Sequence, residues 1–463
     1  MGNKLLIRAY NVGCGDCIYV RIPDSKDGFH ILIDCGKKGG TDLLKQAIQH
    51  MEANLLPAGD KPGHKRLDLI VATHRHEDHI KGFDPEWFKK IEVKNVWLSQ
   101  ALDPKHPQAE KSNALHAFAT TAMRRLADSG QALSPQAELL TSLYGVSNDV
   151  ADDFLMKQIP DNNQIKPKFV HSGMTDKDLG LKLPKGAAIH VLAPENDIDH
   201  YYFGEDADKT LKGLNGLSAV MGQAASGTST VTPTNISASD FKTLKSRMLS
   251  NALAFAGKDS SIQNNMSVVL LIEWKKRRLL FVGDAEWESE FQEGKHNGSW
   301  NVMWEKHRKT LLSSPIDFLK VGHHGSINAT PPPAEKKSAK KKPTASGVSI
   351  YQVLDTLLPV PKSGKKPTAK AIVSTEREFY APIPECDLLV NIARRVSNVR
   401  NYGKELKSRK IDPKTIWTTD KAKKYKYYET YEKEFLDSPQ PIRTDLEFKI
   451  TGQPYVDVEF DAT

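Results

Sequence analysis

A run of six residues places three histidines and an aspartate, all of them potential metal ligands, close together in the chain. Directly after the apolar stretch 67–73, the chain offers His74, His76, Asp78 and His79. Imidazole and carboxylate ligands suit Zn²⁺ or Mn²⁺. Alternate positions can turn towards different ions, so the first two histidines could serve one ion while Asp78 and His79 serve another. The run predicts a site for two divalent metal ions, with a polar surface cluster as the alternative interpretation.

Two further apolar stretches end in residues of the same kind. Asp284 follows the stretch 279–282, where its carboxylate could bridge two cations, although Gly-Asp is also a common turn dipeptide. His323 and His324 follow the stretch 316–321. Metal-binding residue types at three strand ends are more specific together than any one of them is alone. We therefore expect these side chains to meet at one cleft.

Short apolar runs bounded by turn residues predict the strands that would position this cleft. They lie at 5–10, 17–20, 30–33, 67–73, 267–272, 279–282, 316–321 and 371–374. The end of the chain predicts a strand pair at 446–450 and 456–460. Between the two groups of strands, the pattern is mostly helical and loop-rich, with one strand at 188–192. We therefore divide the chain into a first half-domain (1–100), an insertion (101–262), a second half-domain (263–390) and a basic C-terminal extension (391–463).

The composition is that of a folded protein in water. Hydrophobic residues make up 39% of the 463 residues and charged residues 26%. No stretch approaches the roughly 20 apolar residues of a membrane span, and the N-terminus has no signal-peptide core. We therefore expect a cytoplasmic protein with no membrane association. The four cysteines are too few for a disulfide scaffold, and the pair Cys14 and Cys17 lacks the second pair that a structural zinc site needs.

The chain is basic, with 65 Lys and Arg residues against 57 Asp and Glu residues. Such an excess favours polyanionic partners. Part of it lies in a lysine run at 336–342, for which a solvated loop is the alternative interpretation. Because this run follows His323 and His324 closely, we expect Lys336 and Lys340 to lie near the site and to bind nucleic acid. The same expectation applies to the basic tail.

Five motifs occur in an order that resembles one known superfamily. Residues 11–16, Asn-Val-Gly-Cys-Gly-Asp, resemble its opening Asp-Val-Gly-Gln-Gly-Asp, and residues 32–36 resemble its Leu-Ile-Asp-Thr-Gly. The segments 264–270, 280–286 and 319–326 follow in the same order. The chain thus resembles the metallo-β-lactamase superfamily, and within it the ComEC-type hydrolase domain of bacterial DNA-uptake channels and its free-standing relatives. The resemblance covers residues 5–100 and 264–385.

The resemblance implies an α/β fold, the αββα metallo-β-lactamase sandwich, interrupted here by the long, mainly helical insertion. It implies two metal ions at the sheet edge that activate a bridging water as hydroxide. The first ion is assigned His74, His76 and Asp284, and the second is assigned Asp78, His79, Asp284 and His323. Asp34 is expected to orient a ligand histidine from behind. Asp78 and His324 are the expected catalytic residues, and Ser326 is expected to contact substrate.

The chain also departs from the family pattern. The further histidine between the His-rich run and the aspartate has no clear match, and the candidates are His116, His171, His190 and His200. Residues 379–384 read Phe-Tyr-Ala-Pro-Ile-Pro in place of the family's Asn-Tyr-Gly-His-Pro. The favoured function is a phosphodiesterase or nuclease acting on DNA or RNA. The alternatives are hydrolysis of a small ester, thioester, lactam or cyclic nucleotide, and a non-catalytic partner module of a bacterial defence system.

Overall fold

A computed structural model describes residues 4–128, 137, 140–141, 143–144, 147–204, 237–333, 349–379 and 383–462. The predicted nucleic-acid contacts Lys336 and Lys340 lie outside the described residues, as do residues 380–382 of the departing motif. Among the helices of the described ranges, none combines the length and the apolar character that a bilayer crossing requires.

The described residues form sixteen strands and thirteen α-helices. The strands are β1 (Leu5–Tyr10), β2 (Cys17–Ile22), β3 (Phe29–Cys35), β4 (Lys65–Leu67), β5 (Leu69–Ala72), β6 (Ile91–Val93), β7 (Val96–Ser99), β8 (Lys168–Val170), β9 (Ala187–Ala193), β10 (Val269–Trp274), β11 (Arg277–Phe281), β12 (Phe318–Val321), β13 (Lys370–Val373), β14 (Val399–Arg400), β15 (Gln440–Arg443) and β16 (Tyr455–Phe460). The helices are Asp42–Asn54, Glu77–Ile80, Pro85–Phe88, Ala109–Asp128, Ser147–Asp153, Ile159–Asn163, Ala238–Asn265, Ser299–His307, Val353–Leu357, Cys386–Ala393, Tyr402–Ser408, Asp420–Lys424 and Thr444–Thr451.

Two seven-stranded mixed sheets dominate the fold. The first has the order β16-β1-β2-β3-β5-β7-β8, and the second has the order β14-β15-β13-β12-β11-β10-β9. In the first sheet β3, β5, β7 and β8 run parallel, and in the second β11, β12, β13 and β15 do so. The expectation of a mixed α/β protein with two mixed sheets is confirmed at this level.

Alternate side chains of the central strands enter different hydrophobic clusters. Val71 belongs to a buried cluster that also contains Leu270 and Phe281 of the second sheet. Its neighbour Ile70 belongs to another cluster, together with Ile48 of the helix Asp42–Asn54. This alternation is what a strand covered on both faces requires, because successive side chains point to opposite sides of a sheet. It explains why the central strands read as continuous apolar runs.

The predicted insertion and the predicted extension both contribute strands to the two sheets. The insertion range supplies β8 to the first sheet and β9 to the second. The extension range supplies β16, which pairs with β1 so that Leu5 faces Phe460, and β15, which pairs with β13. The two sheets are therefore completed by segments that lie outside the stretch in which the motifs occur.

The predicted strand at 446–450 is wrong, because these residues belong to the helix Thr444–Thr451. The alternation Leu-Glu-Phe-Lys-Ile resembles a strand. The ends of the segment favour a helix, since Asp445 and Glu447 occupy the first turn and complement the helix dipole. Gly452 then ends the helix with a φ of 71°. The companion strand at 456–460 is confirmed as part of β16.

Candidate metal centre

The His-rich run lies at the carboxyl end of β5, where it passes into the short helix Glu77–Ile80. Every residue from Thr73 to His79 is buried. The loop after β3 packs so closely on this helix that a Cβ atom on Gly36 would lie 2.1 Å from the backbone nitrogen of His79. Only glycine fits there. The packing holds Asp34 of β3 beside the histidine run.

Parallel strands of both sheets deliver the remaining polar residues to the same place. Asp284 follows β11, and His323 and His324 follow β12. Asp34 and these two histidines have positive φ angles of 56°, 42° and 54°, and they are three of the seven described non-glycine residues with this conformation. Such backbone costs on the order of 1–3 kcal/mol per residue and persists where the surrounding structure imposes it. Its concentration here marks the cleft as a candidate functional site.

Four buried side chains form one compact group of potential metal ligands. One ligand atom from each lies within 4.8 Å of the others, and the members are Asp78, His79, Asp284 and His324. Within the group, His79 Nε2 is 3.1 Å from Asp284 Oδ1, and His324 Nε2 is 3.0 Å from Asp78 Oδ2. Two imidazoles and two carboxylates form a donor set that suits a divalent transition metal.

The other two histidines of the run form a pair on the second side of Asp284. His74 Nε2 and His76 Nδ1 face each other at 2.9 Å. The second oxygen of Asp284, Oδ2, is 3.9 Å from His74 Nε2. Asp284 therefore turns one carboxylate oxygen towards His79 and the other towards His74.

Two buried polar atoms in this group lack a hydrogen-bond partner among the described residues. They are Asp78 Oδ1 and His79 Nε2, the latter in spite of its closeness to Asp284. Buried polar atoms without a partner are costly and rare in folded proteins. A cation bound between these atoms would remove the cost, so the residues present fit the metal that the resemblance implies.

The second ring nitrogen of three histidines is held by a defined partner. His79 Nδ1 donates to Asp34 Oδ2 at 2.7 Å, and the same carboxylate accepts bonds from the backbone N and the hydroxyl of Thr73. His324 Nδ1 is 3.1 Å from the carbonyl oxygen of Ser374. Ser267 Oγ is 3.2 Å from His74 Nδ1. Contacts of this kind fix the tautomer and orientation of metal-binding imidazoles.

Burial and neighbouring charges set the protonation of the site. Burial lowers the pKa of His76 to about 3, and it lowers the pKa of His74 well below its usual value. These two rings are therefore neutral and can present a lone pair. Burial alone would raise the pKa of Asp78, but the Lys38 ammonium and neighbouring histidines hold this pKa well below its usual value. Burial would likewise raise the pKa of Asp284, but the charges of His79 and His323 hold this pKa well below its usual value.

Two buried lysines accompany the carboxylates. Lys38 Nζ is 2.9 Å from Asp78 Oδ2, and Lys320 Nζ is 2.6 Å from Asp16 Oδ2. The sequence analysis missed the role of Lys38, because a lysine next to glycines reads as a solvated loop residue. The only feature of the sequence that could have indicated this role is the position of Lys38 two residues after the motif at 32–36.

The structure separates the two adjacent histidines after β12. His324 belongs to the compact group, whereas His323 lies outside it, 20% exposed, with Nε2 3.8 Å from Asp284 Oδ2. Ser326, the predicted substrate contact, donates from Oγ to Asn328 at 2.7 Å. It is half-buried beside the cleft.

The four histidines considered for the family's additional position have other partners. His116 Nδ1 lies 2.9 Å from Asp259, His190 pairs with Glu273, and His200 pairs with Glu293. His171 contacts the backbone oxygen of Ser172. Within the described part of the chain, no group of potential ligands includes any of the four.

No family model matches the chain, and no curated protein matches it significantly. Fold and site together define the class as a mixed α/β protein of two large mixed sheets with a buried Asp and His cluster that could bind metal.

An Asp34→Asn substitution is expected to weaken zinc binding by about 10–100-fold, the usual effect of removing a partner that orients a ligand histidine. The amide keeps nearly the same volume, but it removes the charge that His79 Nδ1 contacts. Competition with a chromogenic chelator measures the change. Asp317→Asn is the matched control, because Asp317 pairs with Arg277 at the opposite end of β12. Equal zinc affinity in the Asp34 variant and the wild type would contradict the orienting role.

Proposed function

We propose that this chain is a metal-dependent phosphodiesterase that acts on DNA or RNA, with the αββα sandwich of the metallo-β-lactamase superfamily. The observation that carries the proposal is the position of Asp284 between two sets of ligand-type atoms. The cluster shared by the two sheets supports the face-to-face packing that this sandwich requires. The two sets of atoms support a binuclear centre.

The donor atoms divide into two sets around Asp284. His74 Nε2, His76 Nδ1 and Asp284 Oδ2 would hold one ion. The second ion would be held by Asp78, His79 Nε2, His324 Nε2 and Asp284 Oδ1. We therefore assign the second ion to His324 rather than to His323. When bound, such an ion pair supplies an activated water and neutralises negative charge on a phosphoryl group.

The protein's own residues orient the ligands and balance their charge. Asp34, Ser267 and the Ser374 carbonyl hold the imidazole rings in place. The ammonium of Lys38 keeps Asp78 ionised, so that its carboxylate is ready to bind a cation. Burial of the whole group keeps the dielectric low, which strengthens each of these interactions.

His323 is the imidazole left over at the rim of the cleft. Its side chain is partly exposed, and its Nδ1 is 3.6 Å from Glu286 Oε1. A partly exposed imidazole beside a metal centre can hydrogen-bond a substrate oxygen or transfer a proton to a leaving group. We therefore give His323 the catalytic role that the sequence analysis gave to His324.

Metal removal tests the proposal directly. Protein purified with zinc or manganese is expected to carry about two ions per chain and to hydrolyse a small chromogenic phosphodiester. Dialysis against a chelator should remove both the ions and the activity, and either ion should restore them. A panel of DNA, RNA, cyclic nucleotides, thioesters and lactams identifies the substrate class. A metal content near zero after metal-replete purification would refute the binuclear centre, and turnover of none of these substrates would favour a non-catalytic partner module.

A further inference from the structure

Residues 401–426, in the C-terminal part of the chain, carry a local excess of positive charge. Residues 401–426 contain nine Lys and Arg side chains and three Asp and Glu side chains, an excess of six, whereas the whole chain has a net charge of +8. This segment is therefore much more basic than the chain as a whole. Such a concentration creates a local potential that attracts polyanions.

The most exposed part of this segment combines lysines with tyrosines. Lys423, Lys424, Tyr425 and Lys426 are four consecutive exposed residues, and Tyr431 is exposed nearby. Tyr425 is 46% exposed and Tyr431 is 37% exposed, which is unusual for large side chains among the described residues. We call these five residues the tyrosine–lysine surface.

A buried tyrosine anchors the two exposed rings. The ring of Tyr427, which is only 1% exposed, stacks on Tyr425 with centroids 6.3 Å apart and an angle of 17° between the planes. It also contacts Tyr431 edge-on at 5.6 Å. The exposed rings therefore have restricted freedom, which lowers the entropic cost of binding a planar group.

The tyrosine–lysine surface is attached to the segment that leads from the metal centre. This segment begins at Ser374, whose carbonyl contacts His324, and runs to Phe379, whose carbonyl accepts a bond from Lys421 Nζ at 2.9 Å. Five residues of chain span at most about 18 Å. Lys421, two residues before the tyrosine–lysine surface, thus contacts a segment that lies within a few nucleotide lengths of the candidate ligands.

We propose that the tyrosine–lysine surface binds single-stranded nucleic acid and leads it to the metal centre. Lysines neutralise phosphates, while exposed aromatic faces stack on bases. The bases of a duplex are already stacked on each other and leave the tyrosines without a partner. An acidic protein would pair its carboxylates with the lysines and would not need the exposed tyrosine rings. The inference rests on the proposed function, which it extends by naming single-stranded nucleic acid as the substrate class.

Binding of a labelled single-stranded oligothymidylate in chelator tests the inference without hydrolysis. The lysine variant is Lys423→Gln/Lys424→Gln/Lys426→Gln. Its matched control, with the same loss of charge between β8 and β9, is Lys177→Gln/Lys182→Gln/Lys185→Gln. The lysine variant should bind more weakly and reduce the salt slope by about 2, since each phosphate contact to a single strand contributes roughly 0.7. The control should behave as the wild type does.

The tyrosines are tested separately. Tyr425→Ala and Tyr431→Ala should each weaken binding roughly fivefold or more, the cost of losing one stacked base. Tyr425→Phe keeps the ring and should bind normally, which separates stacking from a folding defect. Duplex DNA and polyglutamate are the competitors, and both should compete poorly with the single strand.

Three results would overturn the inference. The first is an equal loss of binding affinity in the lysine variant and its control. The second is normal binding by both alanine variants. The third is displacement of the labelled strand by polyglutamate or duplex DNA as readily as by unlabelled strand. Hydrolysis of the small chromogenic phosphodiester reports on the proposed function alone and should be unchanged in all of these variants. If the wild-type protein binds the strand but hydrolyses no phosphodiester, the proposed function is refuted and the inference about the tyrosine–lysine surface stands. If it hydrolyses the small phosphodiester but does not bind the strand, the proposed function stands and the inference is refuted.

Discussion

An Asp78→Ala/His79→Ala variant is expected to lose phosphodiester hydrolysis by at least about a thousandfold, well beyond the 10–100-fold effect of losing an orienting contact. The pair supplies two of the four members of the compact ligand group. Its removal leaves His74 and His76 in place. Metal content should therefore fall by about one ion per chain, and initial rates on the chromogenic phosphodiester measure the loss of activity. Wild-type turnover in this variant would rule out the binuclear assignment.

The same variant also removes one partner of a buried ammonium. Lys38 is 2% exposed and lies 2.9 Å from Asp78 Oδ2, so loss of this carboxylate is expected to lower the free energy of unfolding by about 1.5–3 kcal/mol, the usual contribution of a hydrogen bond to a charged group. Adding Lys38→Met should recover much of that stability without recovering activity. Asp457→Ala/His50→Ala is the matched control, since it removes one aspartate and one histidine that contact Arg8 and Tyr10 of β1. This control should remain active.

A Glu432→Ala substitution is expected to lower the free energy of unfolding by about 3–5 kcal/mol, the cost of breaking a buried ion pair from one side. Glu432 is fully buried, bonds to Arg377, and lies 3.4 Å from Arg443 Nη1. Arg443 in turn donates to Asp445 at 2.8 Å. The substitution would therefore leave two buried guanidinium groups with one carboxylate fewer.

Urea unfolding, followed by fluorescence, measures this effect. Glu429→Ala is the control, because Glu429 is exposed and its pairing with Lys414 at 3.4 Å contributes at most about 1 kcal/mol. Glu432→Gln keeps a hydrogen-bond acceptor, so its loss of unfolding free energy should lie between those of the two alanine variants. A loss below about 1 kcal/mol in the alanine variant would show that the network does not hold the C-terminal segment. Since this network ties residues 428–445 to the segment after β13, the alanine variant should also weaken binding at the tyrosine–lysine surface.

Much of the strand framework could be predicted from the sequence, because it depends on local patterns. Continuous apolar runs identified β1, β5, β10 and β12. The residues of the site lie directly after such runs, so their presence at strand ends could be read from chain order. The strand expected at 446–450 failed, because an alternation of apolar residues over five positions does not distinguish a strand from an amphipathic helix. The charges and the glycine at its ends decided in favour of the helix.

By itself, the sequence determined which residue types are available and in what order they leave the buried strands. Only the tertiary structure decided which of them meet. His324 lies in the compact ligand group and His323 does not, because the backbone after β12 has positive φ angles that turn the two adjacent side chains in different directions. The contact of Lys38 with Asp78 and the pairing of β16 with β1 join residues far apart in the chain. Such contacts follow from packing two sheets against each other, because the burial of charge and apolar surface is decided by the whole fold rather than by neighbours in sequence.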